Sequence, residues 1–486
     1  MAGRIETVDF SANPYSTIIK LAAPSVIAML AQSAVNEIDI VFFKMLETPE
    51  DSNSQAALLP SLIVVWLFGG SLSAISVGTQ ALTARRFAEG DRKGAGAVLT
   101  NAVFFSLAAG ITFSILGYFL LPTILGSMIG HENAPVLDIA TRYSRWRLLG
   151  VTSMAMTMGV KSFFDGIGRT TVHLVASVVM NILNVLLCWL LIFGNLGFPK
   201  MGAEGAGVSA FVATWVGLGI MLAYSFGIDA GRKSDDDPSR FRLYRREMLS
   251  KPLITSILRL SIPAALATVV MMLGFGLFSK VVGQLDATIA AQAGALAQSS
   301  GAGHHESVNS AATTDIVLVL KLTFTACIAF GTATATLVAQ SLGAKRPADA
   351  VRYGWASVRL GLVVFGVVGL CEGVFFTHPI LNLITDSEKV HAAAVIPMRM
   401  MGCITPIIAV AMILSEALFG AGNPKFVAVV QFLLVFGCLV PVAFVLGVKM
   451  GLGLVGIWLA ACVYSLCAAI AMTLKFHGGK WKDITL

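Results

Sequence analysis

The sequence predicts an all-α integral membrane protein with twelve transmembrane helices in two six-helix lobes, related by a parallel pseudo-two-fold repeat. Three observations predict it. Of the 486 residues, 56% are hydrophobic and 13% are charged, and mean hydropathy is +0.81; a soluble domain carries about 25% charged residues. Apolar runs of about 20 residues, the length that crosses a bilayer, recur along the whole chain. Motifs of the first half return in the second in the same order. A soluble core of this size is excluded. The formal net charge of +7 does not point to nucleic acid, because the excess sits in short loops between apolar runs and so reports membrane orientation.

The first run, 16–43, follows Asn13-Pro14, an N-cap with proline at the first helical position. Pro24 inside it removes a backbone hydrogen bond and permits a kink, so it is the candidate hinge. The stretch before it is polar, and no cleavable signal peptide is expected. Runs two and three, 57–83 and 97–121, flank a loop with Arg85, Arg86, Arg92 and Lys93. Run four, 139–164, opens with Arg142, Arg145 and Arg147; outer-surface salt bridging is expected of them, an outer gate or a substrate contact being the other reading. Runs five and six are 171–194 and 204–227.

A charged linker, 228–252, separates an N-lobe (1–227) from a C-lobe (253–486). The C-lobe runs are 254–283, 314–341, 353–376, 393–419, 425–447 and 453–474. The stretch 286–313, rich in Ala, Gly and Ser, reads as a mobile loop. Lys and Arg collect in the loops of one side, which predicts a multi-pass cell-membrane protein with both termini in the cytoplasm. The seven cysteines all lie in apolar runs, so neither a disulfide framework nor a metal cluster is expected.

The two halves repeat. VGTQALTARRFAEGDRKGAGA, from Val77, matches FGTATATLVAQSLGAKRPADA, from Phe330: Gly78 pairs with Gly331, Thr79 with Thr332 and Gly90 with Gly343. FFDGIGRT, from Phe163, matches LFGAGNPK, from Leu418. MGAEGAGV, from Met201, echoes MGLGLVGI, from Met450. Pro24 parallels Pro263. Matching elements lie on the same side of the membrane, so the repeat is parallel, and substrate sites tend to lie between such halves.

Asp39 is the candidate centre. Gln32, Asn36 and Asp39 share one face of a helix by spacing. A carboxylate in a membrane span is a hypothesis about an ion or proton site; the other reading is a carboxylate near the interface that reaches water. Asn181, Asn184 and Cys188 share a face of run five. At about 1.5 Å per residue, Asp39 lies roughly 27 Å from the inner side, Asn184 roughly 20 Å and Cys188 roughly 25 Å. These depths allow contact. The set can hold Na⁺ or tune a proton site, or the asparagines can simply bond helix to helix. Lys321, on run eight, is the deepest basic residue and can pair with a carboxylate or meet an anionic group of a substrate. Lys280, Glu372 and Glu416 read as interfacial.

In Ala23-Pro24, the Asn-Glu-Ile-Asp run ending at Asp39, Gly78 with Gly90, FFDGIGRT, the Asn181–Gly194 stretch, MGAEGAG and GTATATLVAQSLGAKRPADA, the chain resembles the multidrug and toxic compound extrusion (MATE) transporters over essentially its whole length. The resemblance implies secondary-active export through a cleft between two lobes, opening alternately to each side and driven by protons or sodium ions. It implies a cation site at Asp39, with Asn36, Asn181, Asn184 and Cys188 about it and no other metal. Two departures stand out. Cys188 occupies the place of a second acid and Ala210 that of a threonine, with Ser209 beside it. Met271 and Ile408 stand where other branches carry second-lobe acids. The cleft lining is expected to draw on Gln32, Met154, Met158, Met271, Met272, Phe275, Lys321 and Met412, since methionines and aromatics adapt to varied apolar cations.

No enzyme signature such as HExxH or GxSxG is present. His304, His305 and Glu306 are a weak metal-binding signal. No cofactor is expected beyond the coupling ion. The expected partners are a small-molecule substrate and membrane lipid, without nucleic acid, and the expected state is a monomer. A dedicated exporter of a biosynthetic natural-product intermediate and a lipid-linked saccharide flippase are the alternatives.

Overall fold

The computed structural model describes residues 8–46, 50–130, 133–228, 240–297 and 307–486, and among these it contains helices and no strand. The spanning elements are α1 (Pro14–Lys44), α2 (Asn53–Ala88), α3 (Arg92–Ile129), α4, α5 (Thr171–Phe193), α6 (Ala203–Ile228), α7 (Lys251–Ala297), α8 (Val308–Gly343), α9 (Pro347–Phe375), α10 (Glu388–Gly420), α11 (Pro424–Lys449) and α12 (Gly453–His477). Eleven are long and apolar enough to cross a membrane. α4 is the twelfth, built from Ala134–Leu149 and Val151–Gly166, which meet at Gly150. Asp138, Arg142, Arg145 and Arg147 lower the hydropathy of its first half. The twelve form two lobes of six.

The expected loop at 286–313 is corrected. α7 continues to Ala297 and α8 begins at Val308, because an alanine-rich stretch is a strong helix former whether or not it is greasy. Asp286 closes the turn. Its carboxylate accepts from Asn309 N and Nδ2 at 3.1 and 2.8 Å and from Ser310 N and Oγ at 2.9 and 2.6 Å, satisfying donors at the start of α8. His304, His305 and Glu306 lie outside the described residues.

The second part of the linker belongs to the N-lobe. Phe241 is buried against Phe87 and Phe163. Asn101 Nδ2 donates to Met248 O at 2.7 Å, and Asn101 Oδ1 accepts from Ser250 N at 2.9 Å. Tyr244 shares a hydrogen bond of 2.7 Å with Ser225, and burial pushes its phenol up to about 12.

The first halves of α1 and α7 cross to the opposite lobe. Ile18, Leu21 and Ala22 pack with Phe330, Leu337, Tyr353 and Leu414 of the C-lobe. Leu253, Ile257 and Leu260 pack with Ile75, Leu82 and Val98 of the N-lobe. The first and last described stretches meet this face, where Val8 N donates to Gln340 Oε1 at 3.4 Å and Ile484 O accepts from Arg85 Nη1 at 2.5 Å.

The repeated motifs seal the same face. Gln340 Nε2, on α8, donates to Gly166 O at the end of α4, at 2.7 Å. Arg85 Nη2, on α2, donates to Ala421 O at the end of α10, at 2.9 Å. The last carbonyls of a helix lack intrahelical donors and carry partial negative charge, so each lobe supplies donors to the other. Gln80 Nε2 bridges Thr332 O and Thr336 Oγ1, both at 2.8 Å, and Thr336 Oγ1 donates to Asp165 O at 3.0 Å.

Within the C-lobe, α9 and α10 cross on glycines. A Cβ added at Gly402 would meet Gly373 Cα at 2.5 Å and Gly369 O at 2.6 Å. Small residues permit this approach in a membrane, where packing and not hydrophobicity holds helices together. Gly402→Ala is therefore expected to destabilise by about 2 kcal/mol, as overpacking does. Gly366→Ala, where nothing lies within 4 Å, is the control and should be neutral or stabilising. Thermal unfolding in detergent measures both; equal midpoints would refute the reading.

Candidate ion-coupling site

Asp39 stands near the far end of α1 from the sealed face, buried among α4, α5 and α6. Tyr143 and Arg147, one turn apart on the first helix of α4, both reach it. Tyr143 Oη donates to Oδ2 at 3.2 Å, and Arg147 Nη1 lies 4.0 Å from the same oxygen. From α5, the Cys188 thiol approaches Oδ1 at 3.9 Å and Asn184 Oδ1 at 3.7 Å, with Ser209 of α6 beside it. The loop after α5 holds α6 in place: Met201 N donates to Leu191 O at 2.8 Å and Gly202 N to Ile192 O at 3.2 Å.

The electrostatics are close to balanced. Two unit charges 4 Å apart attract by about 4 kcal/mol at an effective dielectric of 20. Removing each ion from water costs several kcal/mol. Arg147 is only 16% exposed, so the pair neutralises the site more than it stabilises the fold. A hard cation prefers several oxygen donors with net negative charge. Here one carboxylate already has a guanidinium beside it, which offsets the negative charge that such a cation needs.

The expectation of surface salt bridging is corrected for Arg147, which turns inward. Arg142 does pair at the surface, with Asp138 at 2.6 Å, and Arg145 lies over the Tyr118 ring at 5.3 Å. Tyr143 and Arg147 were not singled out by spacing against Asp39; their i, i+4 separation in a span was the available signal.

The other named residues are distributed as follows. Asn184 and Cys188 reach the site. Asn181, one turn below, has an amide sealed from solvent with no hydrogen-bond partner for either atom. Gln32 is half-buried, and the side chain of Asn36 lies outside what the structure describes. Pro24 interrupts α1 between its C-lobe and N-lobe packing. Met154 lies against Gly69 in the π-helical turn Trp66–Gly70 of α2. Met158 packs beside the α2–α7 contact and Met412 between the two C-lobe clusters. Phe275 meets Phe324, centroids 6.4 Å apart, and Met271 is half-buried. Met272 is 56% exposed, next to the stripe of exposed residues Ile262, Leu266, Val269 and Leu273. Lys321 is exposed on α8.

The buried membrane lysine is instead Lys161, whose Nζ lies 2.6 Å from Asp165 Oδ2, with side chains 7% and 1% exposed. Glu416 of the other lobe lies within its electrostatic reach and packs on Gly331. Glu372, in the π-helical turn Cys371–Phe375, accepts from Thr323 Oγ1 at 2.6 Å. Ile408, at the place of a second-lobe acid, is buried in the C-lobe core.

The MatE family model matches residues 24–190 and 302–445. A probable multidrug resistance protein NorM of Thermotoga maritima is 25% identical over 426 residues, covering 86% of this chain and 83% of that one. The probable multidrug resistance protein YoeA of Bacillus subtilis is 23% identical over 408 residues, covering 83% and 80%. Among solved structures, a MOP superfamily transporter from Pyrococcus furiosus aligns with a TM-score of 0.84 at 18% identity, over 99% of this chain and 100% of that one. An outward-facing multidrug resistance MATE transporter aligns at 0.82 and 18%, over 98% and 99%. With the family model matched over more than half its length, this multi-pass membrane chain belongs to the MATE family of transporters.

Proposed function

We propose that this chain is a proton-coupled exporter of organic, cationic or amphipathic small molecules, working by alternating access in the cell membrane. The observation that carries the reading is the single carboxylate of Asp39 beside Arg147. Such a site gains or loses one charge by binding a proton, and the α5 place of a second acid holds Cys188. The face that the first and last described stretches meet is the cytoplasmic one, since Arg85, Arg86, Arg92, Lys93, Lys345, Arg346, Lys480 and Lys482 gather there. The sealed face then closes the cleft to the cytoplasm. Each hydrogen bond of the seal is worth about 1 kcal/mol net, so the whole set is of the size that a differential ligand can overturn. Pro24 is the hinge through which a change at Asp39 reaches the seal. The protein acts as a monomer.

Ethidium transport by everted vesicles, in which export fills the lumen, tests this. An imposed proton gradient should drive export in the wild type and a sodium gradient should not. Asp39→Asn should reduce proton-driven export to background, and unchanged export in this variant would remove Asp39 from the mechanism.

Arg147 gives a second test. Arg147→Leu is expected to destabilise the protein by about 3 kcal/mol, the low end for breaking a buried pair. In an Asp39→Asn background the same change should cost far less. Additive shifts in unfolding midpoint would show that the two side chains do not interact.

A further inference from the structure

A polar file runs along α5 from the Asp39 site toward the sealed face. His173, Ser177, Asn181, Asn184 and Cys188 are spaced i, i+4, i+8, i+11 and i+15, so they lie on one stripe of the helix. The stripe spans roughly 22 Å at 1.5 Å per residue. His173, Ser177, Asn184 and Cys188 are buried. At one end the Cys188 thiol ties Asn184 to Asp39. At the other, Ser177 Oγ and His173 Nε2 are 3.2 Å apart.

Between and beyond these contacts lie sealed polar atoms with no partner: both amide atoms of Asn181 and Nδ1 of His173. Leaving such a group unmet costs about 1–3 kcal/mol. Buried water is the usual partner of polar groups that the protein leaves unmet. Asp165 Oδ1 is also without a partner at this level, while Oδ2 holds Lys161. Lys161 acts electrostatically on His173. Near the same ends of their helices, α6 carries Tyr224, bonded to Arg169, and α1 carries Lys20, which is exposed. Arg147 and Tyr143 face the file only at the Asp39 end.

We propose that this file is a proton path and that His173 is the proton-transfer group at its cytoplasmic end, a proposal that rests on Asp39 being the proton carrier. The Asp39 carboxylic acid gives its proton to a bridging water, whose own proton moves to the next. Ser177, Asn181 and Asn184 orient these waters and keep no proton. His173 accepts at Nε2, toward Ser177, and gives up the proton on its sealed Nδ1 to a further bridging water that leads to the cytoplasmic face. One proton leaves Asp39, one is released at His173, and no electrons move.

Proteoliposomes carrying wild type, Asp39→Asn, His173→Gln or Asn181→Leu test the path with ethidium as probe. Two rates are compared: efflux driven by a proton gradient, and ethidium counterflow without one. His173→Gln is expected to slow driven efflux about 10²-fold, the lower end of what a positioned proton-transfer group supplies. Counterflow and half-saturating ethidium should stay at wild-type values. Asn181→Leu, which removes the water-orienting amide and keeps an apolar fit, should slow driven efflux in the same selective way. Added 4-methylimidazole should restore His173→Ala. Wild-type driven rates in both His173→Gln and Asn181→Leu would overturn the path, while loss of driven efflux in Asp39→Asn would leave the carrier reading standing. Equal loss of counterflow and driven efflux in both would reduce the file to a structural role and overturn the path as well. Driven efflux at wild-type rate in Asp39→Asn would overturn the carrier and, with it, the path.

Discussion

The contact between Asp39 and Arg147 is the constraint on which the N-lobe depends. A carboxylate at this depth in a membrane protein is costly, and a lone one would be held protonated or expelled toward water. Arg147, 4.0 Å away and mostly buried, supplies it with a counter-charge. The distance keeps the pair from being a tight fork. It leaves the carboxylate a partner when charged, without the bidentate geometry that would lock it in that state.

The seal follows a different physical rule, one that the duplication makes available twice. α4 and α10 are equivalent helices of the two halves, and each ends in carbonyls with no intrahelical donor. α2 and α8 are also equivalent, and each sends a side chain across the boundary: Arg85 to Ala421, Gln340 to Gly166. The donors differ in chemistry, one guanidinium and one amide, and they sit at different positions of the repeat, but each lies near the end of its helix at the sealed face. The buried Lys161–Asp165 pair lies beside it, next to Glu416 from the opposite lobe, so charge and closure share one region.

Most of the fold was legible in the sequence because its causes are local or repeated. Apolar length marks a span, and the order of the motifs gives the two lobes. α4 was the hard case, since its charges hide it from a hydropathy criterion and the repeat supplies the missing span. The extension of α7 was missed because low-complexity composition reads as a loop, while the helix propensity of alanine decides the backbone. At the site, Asn184 and Cys188 were legible through helical spacing matched to depth. Arg147 was not. Arg142, Arg145 and Arg147 point in diverging directions around one helix, and sequence does not say which direction is inward. Lys161 and Lys321 show the same limit. Each is a lysine in or near a span, yet one is buried in an ion pair and the other is exposed. Only the packing of neighbouring helices distinguishes them.

Packing also says how the site and the seal are joined. α1 is shared between the lobes: Ile18, Leu21 and Ala22 are part of the C-lobe core, and Phe43 and Leu46 part of the N-lobe core beside Tyr143 and Cys188. Asp39 lies on the N-lobe side and Pro24 at the boundary. A helix anchored at both ends in different bodies has to bend or slide when those bodies separate, and bending concentrates where a backbone hydrogen bond is already missing. α7 repeats the arrangement in reverse, with Leu253, Ile257 and Leu260 in the N-lobe and Pro263 just beyond them. The two proline helices are therefore the covalent continuations of each lobe into the other. The difference between them is chemical: α1 bears a carboxylate in its far half, whereas the matching part of α7 bears Met271 and an apolar exposed stripe. Within this symmetric frame α1 is the helix that joins the buried Asp39 to the sealed face.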